Sequence, residues 1–336
     1  MDSFGRNLRI SLFGESHGEQ IGILMDGVPA GLPLAPADFT EDLLRRKSGA
    51  CGTTARIEAD QPEIVSGLFN GKTTGAPLAI LFRNENIHSQ DYKEFSFLPR
   101  PGHADYTAQV RWKEFNDPRG GGHFSGRLTL PLVAAGTVAK KMIPQIQIHA
   151  EIAELGGIPR PEDSTEALPS CWKEKLDEAI QEQDSLGAII RCQADNLPVG
   201  WGEPFFDSIE SLISHAVFSI PGARGIEFGD GFEAARMKGS QHNDPWGKDE
   251  KTGQVRPIGN GAGGINGGLS NGNPIHFRVA FKPTSSIGKE QMTLNLENGK
   301  TEKLKIKGRH DACFALRTPV IVEAVTAIVL VDLSLR

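Results

Sequence analysis

The sequence predicts an α+β fold in which antiparallel hairpins and helices are mixed. Short apolar runs at residues 8–13 and 21–25 have the length of hairpin strands and are followed by turn residues. Residues 274–281 alternate apolar and polar side chains, which is typical of an antiparallel strand with one buried face. The chain shows no regular alternation of strands and helices, so a doubly wound parallel sheet is disfavoured.

Helical periodicity supports the other half of this prediction. Residues 36–47 carry acidic side chains early and Arg45-Arg46-Lys47 at the end, an order that the helix dipole favours. By this criterion the three basic residues are explained by a solvated helix end. Residues 128–142 place apolar side chains on one stripe, and residues 319–333 are apolar apart from two acids, which predicts a buried helix too short to cross a bilayer.

Composition limits the class of protein. With 336 residues, 38% of them hydrophobic and 23% charged, the chain is expected to be a soluble globular protein of one large domain or two ordinary ones. The net charge of −6 argues against a general nucleic-acid binder. Four scattered cysteines predict a reducing compartment and no zinc site, and the polar N-terminus lacks a signal peptide, so we expect a cytoplasmic protein without a membrane partner.

The first polar motif, Gly14-Glu15-Ser16-His17-Gly18, directly follows the predicted strand at residues 8–13. Glycine lets another segment or a ligand approach the backbone closely. An imidazole placed between glycines is able to change charge near neutral pH. Taken alone, the motif is equally compatible with an ordinary turn that exposes a histidine to solvent.

Three further loops combine glycine with ionisable residues. Residues 100–107 read Arg-Pro-Gly-His-Ala-Asp-Tyr-Thr, so a carboxylate stands two residues after His103 and could orient its ring. Residues 119–127 hold a triple glycine ahead of the predicted helix at 128–142, and backbone N–H groups in such a turn suit anions. Residues 308–311 read Gly-Arg-His-Asp. Each motif alone is also compatible with a surface turn.

A fourth loop, residues 282–286, places a lysine and three hydroxyl side chains after the alternating strand, where they suit a phosphate group, although a capped turn explains them equally. Arginine binds carboxylate and phosphate through a planar fork and stays charged. Arginines accumulate beside these glycine-rich loops, which indicates a polyanionic small-molecule substrate. They are Arg45, Arg46, Arg56, Arg100, Arg119, Arg127, Arg309 and Arg317. The histidines show no metal-binding spacing, so no metal is predicted.

Together, the segments 13–18, 100–107, 119–127, 282–286 and 308–311 occur in the order found in chorismate synthase, and the sequence resembles that family over nearly its whole length. The resemblance implies conversion of 5-enolpyruvylshikimate 3-phosphate into chorismate by 1,4-elimination of phosphate, in the shikimate pathway of aromatic amino acid biosynthesis. It also implies reduced FMN without net redox change, a single domain over residues 1–336, a helical layer between antiparallel sheets, and a homotetramer.

The resemblance also implies roles for individual residues. His17 would protonate the reduced flavin or assist phosphate departure, His103 would be a second catalytic histidine near the flavin, and Asp311 would help to remove the substrate's ring proton through the flavin N5. Substrate-binding residues would be Ser16, Arg46, Arg127 and Arg317. FMN-binding residues would be His123, Phe124, Ser125, Pro221, Gly222, Gly267, Lys282, Pro283, Thr284, Ser285, Ser286 and Arg309.

Three positions depart from the family pattern. Many relatives carry Arg-Ser-Ser where this chain has His123-Phe124-Ser125, and a glutamate where it has Leu128. An arginine often credited with NADP binding is missing before Thr53-Thr54. Whether NADPH reduces the flavin on this protein or through an external flavin reductase therefore stays open, and no nicotinamide fingerprint is visible. The alternatives to a flavin-dependent enzyme are a flavin-independent phosphate lyase or hydrolase and a non-catalytic anion-binding protein.

Overall fold

The computed structural model describes residues 2–49, 51–54, 58–85, 94–250, 253–306 and 310–336. Most of its strands are short and antiparallel. In chain order the strands are β1 Ser3–Phe4, β2 Arg9–Gly14, β3 Gln20–Asp26, β4 Glu63–Ser66, β5 Leu68–Phe69, β6 Lys72–Thr73, β7 Leu78–Arg83, β8 Gln147–Leu155, β9 Ile158–Pro159, β10 Ala188–Asp195, β11 Ala223–Phe228, β12 Trp246–Lys248, β13 Val255–Pro257, β14 Ile265–Asn266, β15 Leu269–Ser270, β16 Ile275–Phe281, β17 Gln291–Leu294 and β18 Thr301–Leu304.

Two five-stranded sheets dominate the fold. The first has the strand order β1-β2-β3-β7-β4 and the second has the order β11-β16-β10-β8-β9. Every pairing in both sheets is antiparallel. The alternation predicted for residues 274–281 is confirmed in β16, where every second side chain is buried. Short two-stranded ribbons, such as β17–β18, extend from the loops.

The helices range in length from four residues to sixteen. In chain order they are α1 Thr40–Arg46, α2 Asp105–Trp112, α3 Thr129–Met142, α4 Ser170–Gln181, α5 Ile209–Val217, α6 Gly239–His242 and α7 Pro319–Ser334. Short 3₁₀ turns cover Pro36–Phe39, Arg119–Phe124, Gly126–Leu128, Phe205–Asp207, Gly231–Arg236 and Phe314–Arg317. None of the helices in the described ranges is long and apolar enough to cross a membrane.

The helices α3 and α7 form the middle layer. Helix α3 packs on β2, β3 and β7 of the first sheet, α7 packs on β8 and β10 of the second, and the two helices pack on each other. The predicted sandwich of a helical layer between antiparallel sheets is therefore confirmed. The prediction that α3 buries only one apolar stripe is wrong, because every residue from Thr129 to Ala139 is buried. A helix covered by a sheet on one side and a helix on another has no solvated face.

Close approach of the two central helices depends on a glycine. A methyl group built on Gly136 of α3 would overlap the Cα and Cβ atoms of Ala324 in α7. The two backbones therefore meet where both side chains are minimal. Interior packing of this density leaves no room for an extra methylene group.

The two acids that interrupt the apolar helix α7 have internal partners. Glu323 is ion-paired with Arg45 at 2.6 Å and with Lys140 at 2.9 Å, and it also accepts the N–H of Ala150. Asp332 accepts three backbone N–H groups of residues 6–8 just before β2. Buried carboxylates need such partners to offset the loss of hydration. These contacts attach the N-terminal sheet and α1 to the central helix.

Candidate active site

A cavity of about 700 Å³ collects the loops that the sequence singles out. This volume lies in the range of small-molecule sites. Its lining includes most of the predicted residues, drawn from segments that are far apart in the chain. They are Arg46, His103, Phe124, Ser125, Arg127, Pro221, Gly222, Lys282, Pro283, Thr284, Ser285, Ser286, Asp311 and Arg317.

Three buried arginines form one wall of this cavity. Arg46, Arg127 and Arg317 are at most 9% exposed. The interpretation of Arg46 as part of a solvated helix end is therefore wrong. The carboxylate of Asp60 pairs with Arg46 at 3.3 Å and also with Arg127. Burial lowers the pKa of Arg46 to about 9, with a further contribution from the positive charge of Arg317, and the guanidinium still stays protonated at neutral pH. The wall thus offers fixed positive charge.

Arg317 also fixes a predicted catalytic acid. Its guanidinium lies 2.5 Å from Oδ2 of Asp311, whose other oxygen accepts the backbone N–H of Thr54 at 2.7 Å. The Nε of Arg317 is buried and has no hydrogen-bond partner in the described chain. One N–H group of this guanidinium therefore orients Asp311, while the Nε–H group stays available to a ligand.

His103 stands at a second wall, beside Asp105 and Arg100. Nδ1 of His103 lies 2.7 Å from Oδ1 of Asp105, and Arg100 binds the same carboxylate at 2.7 Å. The contact agrees with the expectation from the motif at 100–107 that Asp105 orients the ring of His103. Arg100 also donates to the hydroxyl of Ser286 at 3.0 Å, which connects this wall to the loop at 282–286.

His17 and Ser16 lie behind the triple glycine and do not line the cavity themselves. Gly120 lines the cavity, and a Cβ built on it would lie 2.5 Å from Nε2 of His17 and 3.0 Å from Oγ of Ser16. The neighbouring Gly121 faces His103, with its Cβ position 3.6 Å from Nε2. Both glycines have positive φ angles of 61° and 82°. The two predicted catalytic histidines therefore lie against adjacent glycines of one short segment.

The loop at 282–286 forms the far end of the cavity. Nζ of Lys282 donates to the carbonyl of Gly102 at 2.7 Å and to the hydroxyl of Ser285 at 2.5 Å. Burial lowers the pKa of Lys282, and the positive charge of Arg224 lowers it further. Lys282 and Arg224 both contribute positive charge to this part of the cavity lining.

Thr284 and Arg317 of the cavity lining each have an unsatisfied buried polar atom. Within the described ranges, Thr284 Oγ1 and Arg317 Nε are buried and lack a hydrogen-bond partner, as does Ser16 Oγ, which lies beside Gly120 outside the lining. Buried polar groups are normally paired, so each of these atoms is suited to a ligand. Donors of this kind, together with guanidinium groups, fit the phosphate and carboxylate groups of an anionic substrate and of a flavin phosphate.

Two predicted cofactor residues, His123 and Gly267, lie outside the cavity lining. The ring of His123 hydrogen-bonds to the Gly14 carbonyl at 2.9 Å and to Asp2 at 3.0 Å, and it lines a separate, smaller cavity. Gly267 lies in the β14–β15 turn, outside the cavity lining. Arg309 lies outside the described residues, as does Arg56. Their roles stay predictions.

Several lining residues were missed by sequence reasoning. Glu58, Asp60, Arg224 and Phe314 line the cavity, as does His310 of the motif at 308–311, to which no individual role was given. Asp60 follows an irregular segment without a glycine-rich motif, so nothing in the local pattern marked it. A single carboxylate that must neutralise two arginines from distant segments is recognisable only when those segments are adjacent. No group of three or more metal-binding side chains occurs among the residues described.

Comparison with known proteins gives a consistent result. The chorismate synthase family model matches residues 8–335. A chorismate synthase of Chitinophaga pinensis is 54% identical over 336 residues, covering 100% of this chain and 97% of that protein. One of Dehalococcoides mccartyi is 45% identical and covers 100% of this chain and 97% of its own length. A solved structure titled "Crystal Structure of Chorismate Synthase" aligns with a TM-score of 0.74 at 28% identity, over 98% of this chain and 92% of that one. The chain therefore belongs to the chorismate synthase family of shikimate-pathway enzymes.

Proposed function

We propose that this protein converts 5-enolpyruvylshikimate 3-phosphate into chorismate by 1,4-elimination of phosphate, with reduced FMN as the cofactor. The observation that carries this proposal is the convergence of three buried arginines, a histidine and Asp311 on one cavity. The substrate carries a phosphate and two carboxylates. Fixed guanidinium groups neutralise these charges and stabilise the phosphate that departs.

The residues divide into two groups in this proposal. Arg46, Arg127 and Arg317, with Ser16 behind Gly120, would hold the substrate. The flavin would lie against Phe124, Ser125 and the segments 221–222 and 282–286, which line the same cavity. When bound, reduced FMN supplies an electron-rich group that supports the elimination and is recovered unchanged.

Proton handling belongs to His17, His103 and Asp311. The elimination breaks the bond to the phosphate oxygen and a ring C–H bond, and it forms a new carbon–carbon double bond. His17 would give a proton to the flavin or to the departing phosphate, and Asp311 would help to take up the ring proton. Held by Arg317 and the Thr54 N–H, the Asp311 carboxylate has a fixed direction. Such preorganisation suits an acid–base role.

An anaerobic assay tests the proposal. We would incubate the purified protein with 5-enolpyruvylshikimate 3-phosphate, with and without reduced FMN, and follow chorismate by absorbance and phosphate chemically. Chorismate formed only with reduced FMN supports the proposal. Phosphate released without flavin would instead identify a flavin-independent lyase or hydrolase, and substrate binding without turnover would identify an anion-binding protein.

We also propose that a separate flavin reductase supplies the reduced FMN. The missing arginine before Thr53-Thr54 and the absence of a nicotinamide fingerprint support this. The test is to add NADPH and oxidised FMN to the purified protein and follow NADPH consumption anaerobically. Consumption at the rate of chorismate formation would contradict external supply.

Self-association into a homotetramer is a further part of the proposal. Large apolar side chains are exposed in the segment between β10 and β16, including Phe205 at 87%, Phe206 at 91% and Ile258 at 76%. Exposed apolar surface commonly marks a protein interface. Light scattering coupled to size-exclusion chromatography measures the mass directly, and a monomer at assay concentration would contradict this part.

A further inference from the structure

Asn84 directly follows β7, and its side chain is buried. Its Nδ2 donates to the carbonyl of Gly18 at 2.8 Å and to the carbonyl of Glu15 at 3.2 Å. Its Oδ1 accepts the Nε–H of Arg127 at 3.1 Å. One carboxamide therefore connects the motif at 14–18 with an arginine of the cavity wall.

The two carbonyls that Asn84 binds are the ends of a tight turn. The N–H of Gly18 donates to the carbonyl of Glu15 at 3.0 Å, which closes a turn of four residues. The central residues of this turn are Ser16 and His17, and both side chains are buried. The backbone that carries His17 is therefore held at both ends by one side chain.

The chemistry of the carboxamide fits both of its neighbours. A carbonyl oxygen only accepts hydrogen bonds, and a guanidinium only donates them. The flipped amide would place its NH2 group against the guanidinium and its oxygen against the two carbonyls, so the network fixes the orientation of Asn84. An amide satisfies all three contacts, whereas an ionised carboxylate satisfies only the contact with Arg127.

Arg127 has two further acceptors beside Asn84. The guanidinium pairs with Asp60, and its Nη2 donates to the carbonyl of Arg83 at 3.2 Å. Because Arg83 and Asn84 are consecutive, the end of β7 accepts two N–H groups of this guanidinium. The same end of β7 thus contacts both the turn that carries His17 and an arginine that lines the cavity.

We propose that Asn84 is a positioning residue that aligns His17 with Arg127, so that the proton-handling group and the substrate-binding group keep one relative position. The inference rests on the proposed function for the roles of these two residues. Asn84 does not line the cavity and acts only through the residues that it binds. A misplacement of about 1 Å in an active site can lower a rate about 100-fold, so loss of this alignment should be visible in turnover.

Two substitutions separate the two sides of the carboxamide. Asn84→Asp keeps an oxygen for Arg127 but removes both N–H groups that bind the turn, and Asn84→Ala removes all three contacts. Asn273→Asp is the matched control. Asn273 is similarly buried, its Nδ2 also donates to two backbone carbonyls, those of Pro257 and Gly259, and it does not line the cavity.

We expect Asn84→Asp to lower kcat by about 10- to 100-fold with KM close to that of the wild type, because the His17 turn loses its donors while Arg127 keeps its acceptor. Asn84→Ala should lower kcat similarly and also raise KM by about 10-fold, as loss of a hydrogen bond to a charged group does. Asn273→Asp should change neither constant, even where chemical denaturation shows an equal loss of stability. Equal kinetic changes in the Asn84 and Asn273 variants, or unchanged kcat in both Asn84 variants, would overturn the proposal.

A double variant tests whether Asn84 acts through His17. If it does, Asn84→Asp combined with His17→Ala should turn over at the same rate as His17→Ala alone, because the group that Asn84 aligns is already missing. Losses that simply add in the double variant would place the effect of Asn84 elsewhere and contradict the positioning role.

Crystal structures of the wild type and of Asn84→Asp separate this inference from the proposed function, since they require no turnover. If the wild type forms no chorismate but the His17 ring moves by about 1 Å or more in Asn84→Asp while Arg127 stays in place, the proposed reaction fails and the positioning by Asn84 stands. If the wild type forms chorismate and Asn84→Asp changes neither the ring position nor kcat, the reaction stands and the positioning role is wrong.

Discussion

Oδ1 of Asp105 lies 2.7 Å from Nδ1 of His103 at the wall of the cavity. Burial of Asp105 opposes its ionisation, but hydrogen bonds from Arg100 and His103 outweigh this effect and hold the pKa of Asp105 well below its usual range. Arg100 also approaches Nδ1 to 3.1 Å, and a guanidinium only donates hydrogen bonds. A protonated Nδ1 donates to this carboxylate, which then fixes the orientation of the ring, whereas an unprotonated Nδ1 would accept from Arg100.

The substitution Asp105→Asn tests this orienting role. We expect kcat to fall by roughly 10- to 100-fold, part of the 10²- to 10⁴-fold that a general acid–base group supplies, because His103 remains but its ring is no longer fixed by a carboxylate. The measurement is the pH–rate profile, which should change shape. Asp26→Asn, which removes an exposed partner of Arg9, is the control and should leave the profile unchanged. An unaltered profile in Asp105→Asn would exclude the role.

Removing either histidine tests the acid–base assignment itself. We expect His17→Ala and His103→Ala each to lower turnover by about 10- to 10,000-fold, as losses of general acid–base groups do. Flavin binding is measured in parallel to separate chemistry from cofactor loss. Wild-type turnover in both variants with flavin still bound would show that the assignment is wrong.

The absence of a side chain at Gly120 should be required for the observed position of the His17 ring. A methyl group in Gly120→Ala would lie 2.5 Å from Nε2 of His17, so the ring must move and turnover should fall nearly as far as in His17→Ala. Gly71→Ala is the matched control: Gly71 has a φ angle of 72°, close to the 61° of Gly120, but nothing lies within 4 Å of its Cβ position. Both variants carry similar backbone strain of about 1 kcal/mol. Equal turnover in the two would refute steric displacement.

The Glu323 network should make stability depend on pH. Burial raises the pKa of Glu323, but the hydrogen bond from Arg45 and the charges of Lys140 and Arg45 lower it more, so the net shift is downward. A carboxylate with a lowered pKa stabilises the fold above its unfolded pKa, near 4.5, and this stability is lost as pH falls through the folded value.

We therefore expect Glu323→Gln to cost about 2 kcal/mol at neutral pH. This is below the 3–5 kcal/mol of a fully buried pair because Arg45 and Lys140 stay partly solvated. Chemical denaturation over a pH series measures the effect, and the difference from wild type should shrink below about pH 4.5. Glu178→Gln removes an exposed partner of Lys175 and should leave the unfolding free energy close to that of the wild type. A cost for Glu323→Gln that is independent of pH would contradict the ionic origin.

Packing between α3 and α7 predicts that Gly136→Ala destabilises the protein, whereas helix propensity alone predicts that it stabilises it. Alanine favours helix over glycine by about 1 kcal/mol, yet Gly136→Ala should destabilise the protein by about 1–3 kcal/mol, because the new methyl overlaps Ala324. Thermal unfolding measures the loss. The double variant Gly136→Ala with Ala324→Gly returns the space and should recover part of the stability. A stabilised single variant would show that the helices separate at little cost.

Local pattern was sufficient for most elements because their signals are local. Alternation along residues 274–281 is the burial pattern of β16, and the acidic start and basic end predicted for residues 36–47 are observed in the 3₁₀ turn Pro36–Phe39 and α1. The width of the buried face of α3 was not predictable in this way. It depends on two neighbours, β3 and α7, that are distant in the chain.

The sequence by itself determined the family, the α+β class and the motifs that supply histidines, arginines and hydroxyls, because residue types and their spacing are written along the chain. Only the tertiary structure decided how these groups act on one another. Asp60 binds two arginines from distant segments, and Gly120 lies against His17. Arg224 lies where the pairing of β11 with β16 is irregular. Distance and burial set the strength of charge interactions, and both exist only after the chain has folded.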